Sequence, residues 1–320
     1  MFKMYPQMTI DLNVIKENYL AIKNHVKNNV ITSAVVKADA YGLGAKLVSD
    51  SLYDVGCRNF WVAYLKEALE LRSVLPIDAS IYVLQGFRKE DIKLLRNYRI
   101  IPVINSLEEF NIAKGNSLEL VLFVDTGLSR LGIRADDINE ITPCINKENI
   151  KYIISHLACA KDLYSPYNII QKQRFYEVLN RIKQVKNIKA GISASGGVFL
   201  GEEFHYDIVR IGSFLYGIQA SLSALKPKNV LSLKSIVLQK YTLQAGDYIG
   251  YDLTFKLSHK MKVAIVSIGN ADGIRRNLAN KGRVLFYNKE GKYYKAPIVG
   301  SISMDLMACD VTSIPDELRS

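Results

Sequence analysis

The sequence predicts an α/β protein in two parts: an N-terminal (β/α)8 barrel of the TIM type over residues 1–218 and a C-terminal all-β domain over 219–320. Three observations carry this expectation. Short apolar runs alternate with longer amphipathic segments through roughly the first 210 residues, the rhythm of repeated βα units. The runs are apolar almost throughout, as strands covered on both faces are. Beyond Gly217 the helical periodicity stops and strand-like segments follow one another.

The strand candidates are 32–36, 59–63, 81–84, 99–104, 119–124, 151–155, 189–193 and 206–211, each rich in Val, Ile, Leu or aromatic residues. Between them, apolar residues at three- and four-residue spacing predict helices over 65–75, 88–98, 106–114 and 169–185, with Asp91 and Ser106 as entry residues. A doubly wound open sheet is the rival arrangement, but no GxGxxG turn follows the first strand. In the second part, strands are expected over 231–242, 261–268, 283–288, 295–302 and 306–312. Turns at Ala245-Gly246-Asp247 and Glu290-Gly291-Lys292 separate some of them.

Hydrophobic residues make up 49% of the 320 and charged residues 23%, the balance of a soluble globular protein. No apolar run reaches the length of a membrane span, and the first residues lack the apolar core of a signal peptide, so a cytoplasmic protein is expected. The net charge is +11, but Lys and Arg are scattered, and the densest basic stretch, 281–295, is interrupted by Gly, Tyr and Glu. Solvated faces, rather than a nucleic-acid stripe, follow from that dispersion, although an acidic small ligand also suits the charge. Cys57, Cys144, Cys159 and Cys309 form no CxxC pair, which points to free thiols and no metal site. Cys159 shares a loop with His156, which leaves a thiol role open.

In a barrel of this type, chemistry collects at the C-terminal ends of the strands. Lys37 ends the first predicted strand, Asp125 the fifth and His156 the sixth; Ser195 follows the seventh and Arg210 closes the eighth. An amine at such a place is partly desolvated, which favours its neutral, nucleophilic form. By position alone, a lysine snorkelling out of the barrel mouth is the commoner reading.

The neighbourhood of Lys37 adds to this. The segment Lys37-Ala-Asp-Ala-Tyr-Gly-Leu-Gly44 resembles the cofactor-lysine signature of alanine racemases. Further matches follow in the same order: Asp125-Thr-Gly-Leu-Ser-Arg-Leu-Gly132, Ser155-His-Leu-Ala-Cys-Ala160 and the stretch from His205 to Gly217. Gly250-Tyr-Asp252, Gly269-Asn-Ala-Asp-Gly273 and Val299-Gly-Ser-Ile-Ser-Met-Asp305 complete the series. The family combines a barrel with a β-domain, as the periodicity reads independently.

The resemblance implies that Lys37 holds pyridoxal 5′-phosphate (PLP) as a Schiff base and moves a proton on one face of the substrate. Tyr251 matches the base of the opposite face. A phenol is a weak base at neutral pH, so that role calls for nearby cations. Arg210 matches the arginine facing the pyridine nitrogen, to which a permanently charged guanidinium gives up no proton. Tyr41, Ser195 and the amides of Gly212 and Ser213 match the phosphate cradle, and His156 a neighbour of the ring. A satisfied core histidine is an equally good reading of His156 from its residues. Arg130 and the Met304 backbone match groups holding the substrate carboxylate, with Asp305 in support. A homodimer with shared sites follows, since the family's second base comes from the other subunit.

Several positions depart from the family pattern. Phe123 stands where many relatives carry a lysine, often carbamylated; Asp39 replaces an Asn, Leu43 a His, Ala194 an Asn and Asn270 a Tyr. The sequence stops at Ser320, where relatives usually continue and supply another phosphate-contacting tyrosine, so either a shortened member or a truncated chain is expected. The expected activity is interconversion of L- and D-alanine, supplying D-alanine for peptidoglycan. The alternatives are a racemase of serine or of broad range, a non-catalytic PLP-binding homeostasis protein, and a degenerate scaffold. Tyr251 argues against the homeostasis class, whose single-barrel members lack the β-domain.

Overall fold

In a computed structural model, which describes residues 5–221, 223–287 and 292–315, the apolar runs become parallel strands. They are β1 (Ile31–Val35), β2 (Asn59–Val62), β3 (Ser80–Val83), β4 (Ile100–Ile104), β5 (Glu119–Asp125), β6 (Asn149–Ile154), β7 (Lys189–Gly191) and β8 (Ile208–Ile211). Their sheet order is β8-β1-β2-β3-β4-β5-β6-β7. The Asp207 N–H donates to the Ala190 carbonyl at 2.9 Å and the Arg210 N–H to the Ser193 carbonyl at 3.0 Å, so β8 also meets β7 and the ring is all but closed. An α/β barrel is therefore the observed architecture of this unit, which spans Ile10–Leu231.

Seven helices cover it: α1 (Leu12–His25), α2 (Ala45–Asp54), α3 (Leu65–Arg72), α4 (Ile92–Asn97), α5 (Leu107–Ala113), α6 (Ile138–Ile145) and α7 (Pro166–Lys183). After β7 and β8 the described residues form only short 3-10 turns, at Gly197–Leu200, Glu202–Phe204 and Ser213–Tyr216. The helix predicted over 88–98 is divided. The Asp91 carboxylate accepts the Arg88 N–H at 2.8 Å and closes a 3-10 turn before α4 begins. Ser106 does enter α5, its hydroxyl accepting the Glu109 N–H at 3.1 Å.

Two layers of packing follow from the strand pattern. Residues pointing outward meet the helices in the larger core, which includes Phe60, Val62, Ile81, Leu122 and Ile153. Residues pointing inward fill the barrel: Val35, Trp61, Tyr82, Val103, Val121, Phe123, Tyr152 and Ile154. Trp61 and Tyr82 stack with centroids 4.1 Å apart, and Tyr152 meets Tyr82 edge-on at 6.1 Å. This aromatic column floors the C-terminal mouth. The barrel is thus a packed interior with room for a ligand only at its end.

Lys37 lies two residues beyond β1 rather than at its end, because the chain there enters a left-handed turn. Ala38, Asp39, Ala40 and Tyr41 have φ of 53, 53, 53 and 59°. Four consecutive non-glycine residues in this region cost roughly 1–2 kcal/mol each. The turn is held by Gly44 N–H to the Asp39 carbonyl at 2.9 Å and Ala45 N–H to the Asp39 carboxylate at 2.7 Å.

The second unit comprises Ser232–Ser320 with Met1–Thr9. Its sheet is antiparallel, ordered β9 (Val237–Leu243), β10 (Met261–Val266), β13 (Met307–Asp310), β12 (Tyr293–Val299), β11 (Arg283–Tyr287). The strand predicted over 231–242 is two: Leu231–Lys234 pairs with Gln7–Ile10, and β9 begins after it. The predicted turn at Glu290-Gly291 lies outside the described residues, as does the end of the strand predicted over 283–288. Among the described residues no helix is long and apolar enough to cross a membrane.

Candidate active site

A cavity of about 780 Å³ opens at the C-terminal mouth of the barrel. Each strand sends side chains to it: Lys37 after β1, Ala63 after β2, Leu84 after β3, Asn105 after β4, Phe123 on β5, His156 after β6, Ser195 after β7 and Arg210 on β8. Tyr41, Arg130, Gly212 and Ser213 line it as well. Lys37, Tyr41, Arg130, His156, Ser195, Arg210, Gly212 and Ser213 therefore face one cavity, whereas Asp125, the expected end of the fifth strand, does not line it. Lys37, Arg130, Lys161 and Arg210 bring positive charge to it, and among the described residues no carboxylate lines it.

Burial and the nearby Arg130 charge hold the Lys37 amine below its ordinary pKa, while Glu67 opposes them. The desolvation expected of a strand-end amine is thus present, and its source is the cavity wall rather than the sheet.

Arg210 is buried and carries its charge without a carboxylate partner. Its guanidinium donates to the Gly191 carbonyl at 3.1 Å and to the Ser155 carbonyl, and lies 5.8 Å from the Trp61 ring centroid. The obvious pairing in sequence, with Asp207, does not form; that carboxylate accepts the Ala190 N–H at 2.8 Å. Burial pushes the guanidinium down to about 10, still protonated at neutral pH. It can donate a hydrogen bond to a ligand while keeping its proton.

The Ser195 hydroxyl accepts from the Gly212 N–H at 3.0 Å and the Phe214 N–H at 3.3 Å. With its lone pairs so engaged, its own proton remains to be donated. A Cβ on Gly212 would stand 2.8 Å from the Tyr41 hydroxyl and 3.3 Å from Val35, so any larger residue there would push the Tyr41 hydroxyl from its place. Two hydroxyls and a glycine turn at one wall are a donor set for an oxyanion. PLP brings a phosphate dianion, an aldehyde and a ring nitrogen; the cradle, Lys37 and Arg210 fit all three.

His156 is half-buried, and its imidazole is pushed down from 6.5 to about 3 by burial and then by the charges of Arg210, Arg130 and Lys37. It is neutral at pH 7. Between those two values the unfolded chain binds more protons than the native one, so this stability is fully present above 6.5 and is lost as pH falls through that window. Urea midpoints measured above and below 6.5 are expected to fall less steeply in a His156→Gln protein than in wild type. Equal slopes would remove His156 from the cavity's charge balance.

The loop carrying Arg130 is built on Asp125, whose carboxylate accepts the N–H groups of Gly127, Leu128 and Ser129 at 2.9, 3.0 and 3.1 Å. Arg130 itself is exposed. A Cβ on Gly132 would sit 2.6 Å from the Phe123 ring, so the loop closes directly over that ring.

Tyr251, Met304 and Asp305 belong to the second unit, where they fall in one loop cluster. The Ser301 hydroxyl donates to the Tyr251 carbonyl at 3.1 Å, and the Ala271 N–H to the Met304 carbonyl at 2.9 Å. A Cβ on Gly269 would lie 2.4 Å from the Met304 carbonyl oxygen and 2.6 Å from the Asp305 nitrogen, which welds the Gly269–Gly273 turn to this loop. Tyr251 is 70% exposed and Met304 51%, both far from the burial that strand packing would give them.

Sequence reasoning passes over Glu67 and Asn105. Asn105 is buried, its amide nitrogen donating to the Leu84 and Val103 carbonyls at 3.1 Å each, and its Oδ1 has no protein partner. Nothing in the sequence distinguishes it from a turn residue. Glu67 had a signal, a Glu three residues into a helix, which reads as a capping device.

Fold and cavity together define a barrel protein made to hold an anionic, carbonyl-bearing group beside a nucleophilic amine. The chain matches the family models "Alanine racemase, N-terminal domain" over residues 10–220 and "Alanine racemase, C-terminal domain" over 230–319. It belongs to the alanine racemase family. It is 37% identical to the alanine racemase of Rickettsia canadensis (strain McKiel), covering 96% of this chain and 85% of that one. The alanine racemase of Brucella abortus (strain 2308) is 36% identical, covering 97% and 82%. Among solved structures, alanine racemase from Bartonella henselae with covalently bound pyridoxal phosphate superposes with a TM-score of 0.89 at 36% identity, covering 98% of this chain and 88% of that one.

Proposed function

We propose that the protein interconverts L- and D-alanine with PLP as its cofactor, supplying D-alanine for peptidoglycan in the cytoplasm. The observation that carries this is the grouping of a pKa-lowered Lys37, a buried permanent cation at Arg210 and the Ser195–Gly212 cradle in one carboxylate-free cavity. The relatives named alanine racemase support the choice of substrate.

When bound, PLP spreads the negative charge that develops as the substrate loses its α-proton. The rest falls to the protein. Ser195, Tyr41 and the amides of Gly212 and Ser213 hold the phosphate. Arg210 would face the ring nitrogen as a donor that keeps its proton, which would weaken charge withdrawal and favour return of the proton over other outcomes. Neutral His156 packs beside the ring. Lys37 would hold the cofactor, and its amine would take or return the α-proton on one face. Tyr251 serves the opposite face, because inversion requires bases on both sides of one planar carbon. Arg130 and the Met304 backbone grip the carboxylate, with Asp305 in support. In this reading residues 1–218 hold the cofactor, and residues 219–320 of a second copy supply Tyr251, Met304 and Asp305. The active species is a homodimer.

The test is direct. Purified protein with PLP and L-alanine should yield D-alanine by chiral chromatography, with L-serine run in parallel as the competing substrate. PLP demonstrably bound without any conversion would overturn the proposal.

A further inference from the structure

The left-handed turn after Lys37 fixes where that amine can stand, and its first residue is held by a group from another βα unit. Oε1 of Glu67, on α3, accepts the Ala38 N–H at 2.6 Å. Its Oε2 accepts the Ala63 N–H at 2.7 Å and the Tyr64 N–H at 3.2 Å. One carboxylate thus ties the residue directly after Lys37 to the chain leaving β2. Backbone in a sparsely populated conformation persists only where its surroundings over-determine it. The Asp39 bonds fix the far end of this turn, at Gly44 and Ala45. Glu67 fixes the near end.

We propose that Glu67 is a positioning residue for Lys37: it anchors the left-handed turn at Ala38 and supplies the negative charge facing the amine. This rests on Lys37 being the cofactor-holding amine. Of the groups around Lys37, Arg130 opposes its protonation, Arg210 lines the same cavity from the neighbouring strand β8, His156 is neutral, and Glu67 is the acidic one. All three bonds of Glu67 need an acceptor. Glu67→Gln keeps the shape but loses the charge and one acceptor oxygen. Glu67→Asp keeps the charge but is one methylene too short to span Ala38 and Ala63.

The test follows Lys37 in the purified holoenzyme. Acylation of Lys37 by an amine-reactive reagent, after hydroxylamine has released PLP from the holoenzyme as its oxime, is read by peptide mass mapping against pH and gives the amine's midpoint. Reductive trapping of PLP on Lys37 gives its alignment with the cofactor. In Glu67→Gln the acylation midpoint moves to lower pH, the trapped fraction falls, and kcat drops roughly tenfold or more with KM changing less, as a misplaced catalytic group requires. Glu67→Asp loses kcat and trapping while its midpoint stays near wild type; it carries the test alone if Glu67→Gln does not fold. A midpoint shift in Glu67→Gln without loss of trapping overturns the proposal, and so do trapping and kcat within twofold of wild type in either variant. Lys37→Ala in the same trapping assay separates the two ideas. PLP trapped on another lysine there would sink the assignment of Lys37, whereas an unaffected Glu67 variant sinks only the positioning role.

Discussion

Lys37→Ala protein is expected to fold and to form D-alanine at least about 10³-fold more slowly than wild type, the upper part of the range for loss of a proton-transfer group. The lysine is half-buried at the cavity mouth, and its neighbours in the turn are fixed through their backbone, so truncation leaves the barrel core untouched. On the proposed function, what goes is the covalent hold on the cofactor and one of two bases. Both losses act on the same step, and an added amine should restore part of the rate if the missing base is the main defect. Chiral chromatography of the product and borohydride trapping of the cofactor check the two roles separately. A rate within tenfold of wild type would exclude Lys37 from the chemistry.

Trp61→Ala carries the largest expected effect on stability. The indole is fully buried at the centre of the barrel, stacks on Tyr82 at 4.1 Å and donates to the Ser33 hydroxyl at 2.9 Å. Strands on every side hold the space open, so neighbours cannot collapse into it. A loss of about 3–5 kcal/mol follows from removing a large aromatic side chain without relaxation. The Arg210 guanidinium lies against the same ring, so cofactor affinity should fall together with the urea midpoint. A loss below about 1 kcal/mol would mean that the aromatic column relaxes, against the close packing of interiors.

The strands were legible because their composition is dictated by burial on both faces. All eight lie where apolar runs predict them, with ends displaced by at most two residues. Asp91 does stand at the entry of α4, but its carboxylate turns back to the Arg88 N–H and closes the preceding 3-10 turn instead of capping the helix. The site was legible at the strand ends, where a polar residue after an apolar run stands out. It was not legible where contact is made by the fold alone. Glu67 reads as a capping residue because its bond to Ala63 is local, while the bond to Ala38 spans 29 positions. The handedness of residues 38–41 was hidden for a similar reason: Ala and Asp are ordinary helix residues, and only Gly42 and Gly44 hint at positive φ.

That handedness narrows which sequence changes the segment can tolerate. Ala, Asp, Ala and Tyr share the absence of a branched β-carbon, and Val, Ile or Thr suffer most where φ is positive. The motif around the lysine is therefore kept short in vocabulary by backbone conformation as well as by chemistry. Of its residues, Lys37 and Tyr41 face the cavity, while Ala38 and Ala40 are small because the chain curls the wrong way for anything bulkier at the branch. A stretch that reads as a chemical signature is in good part a record of its own geometry.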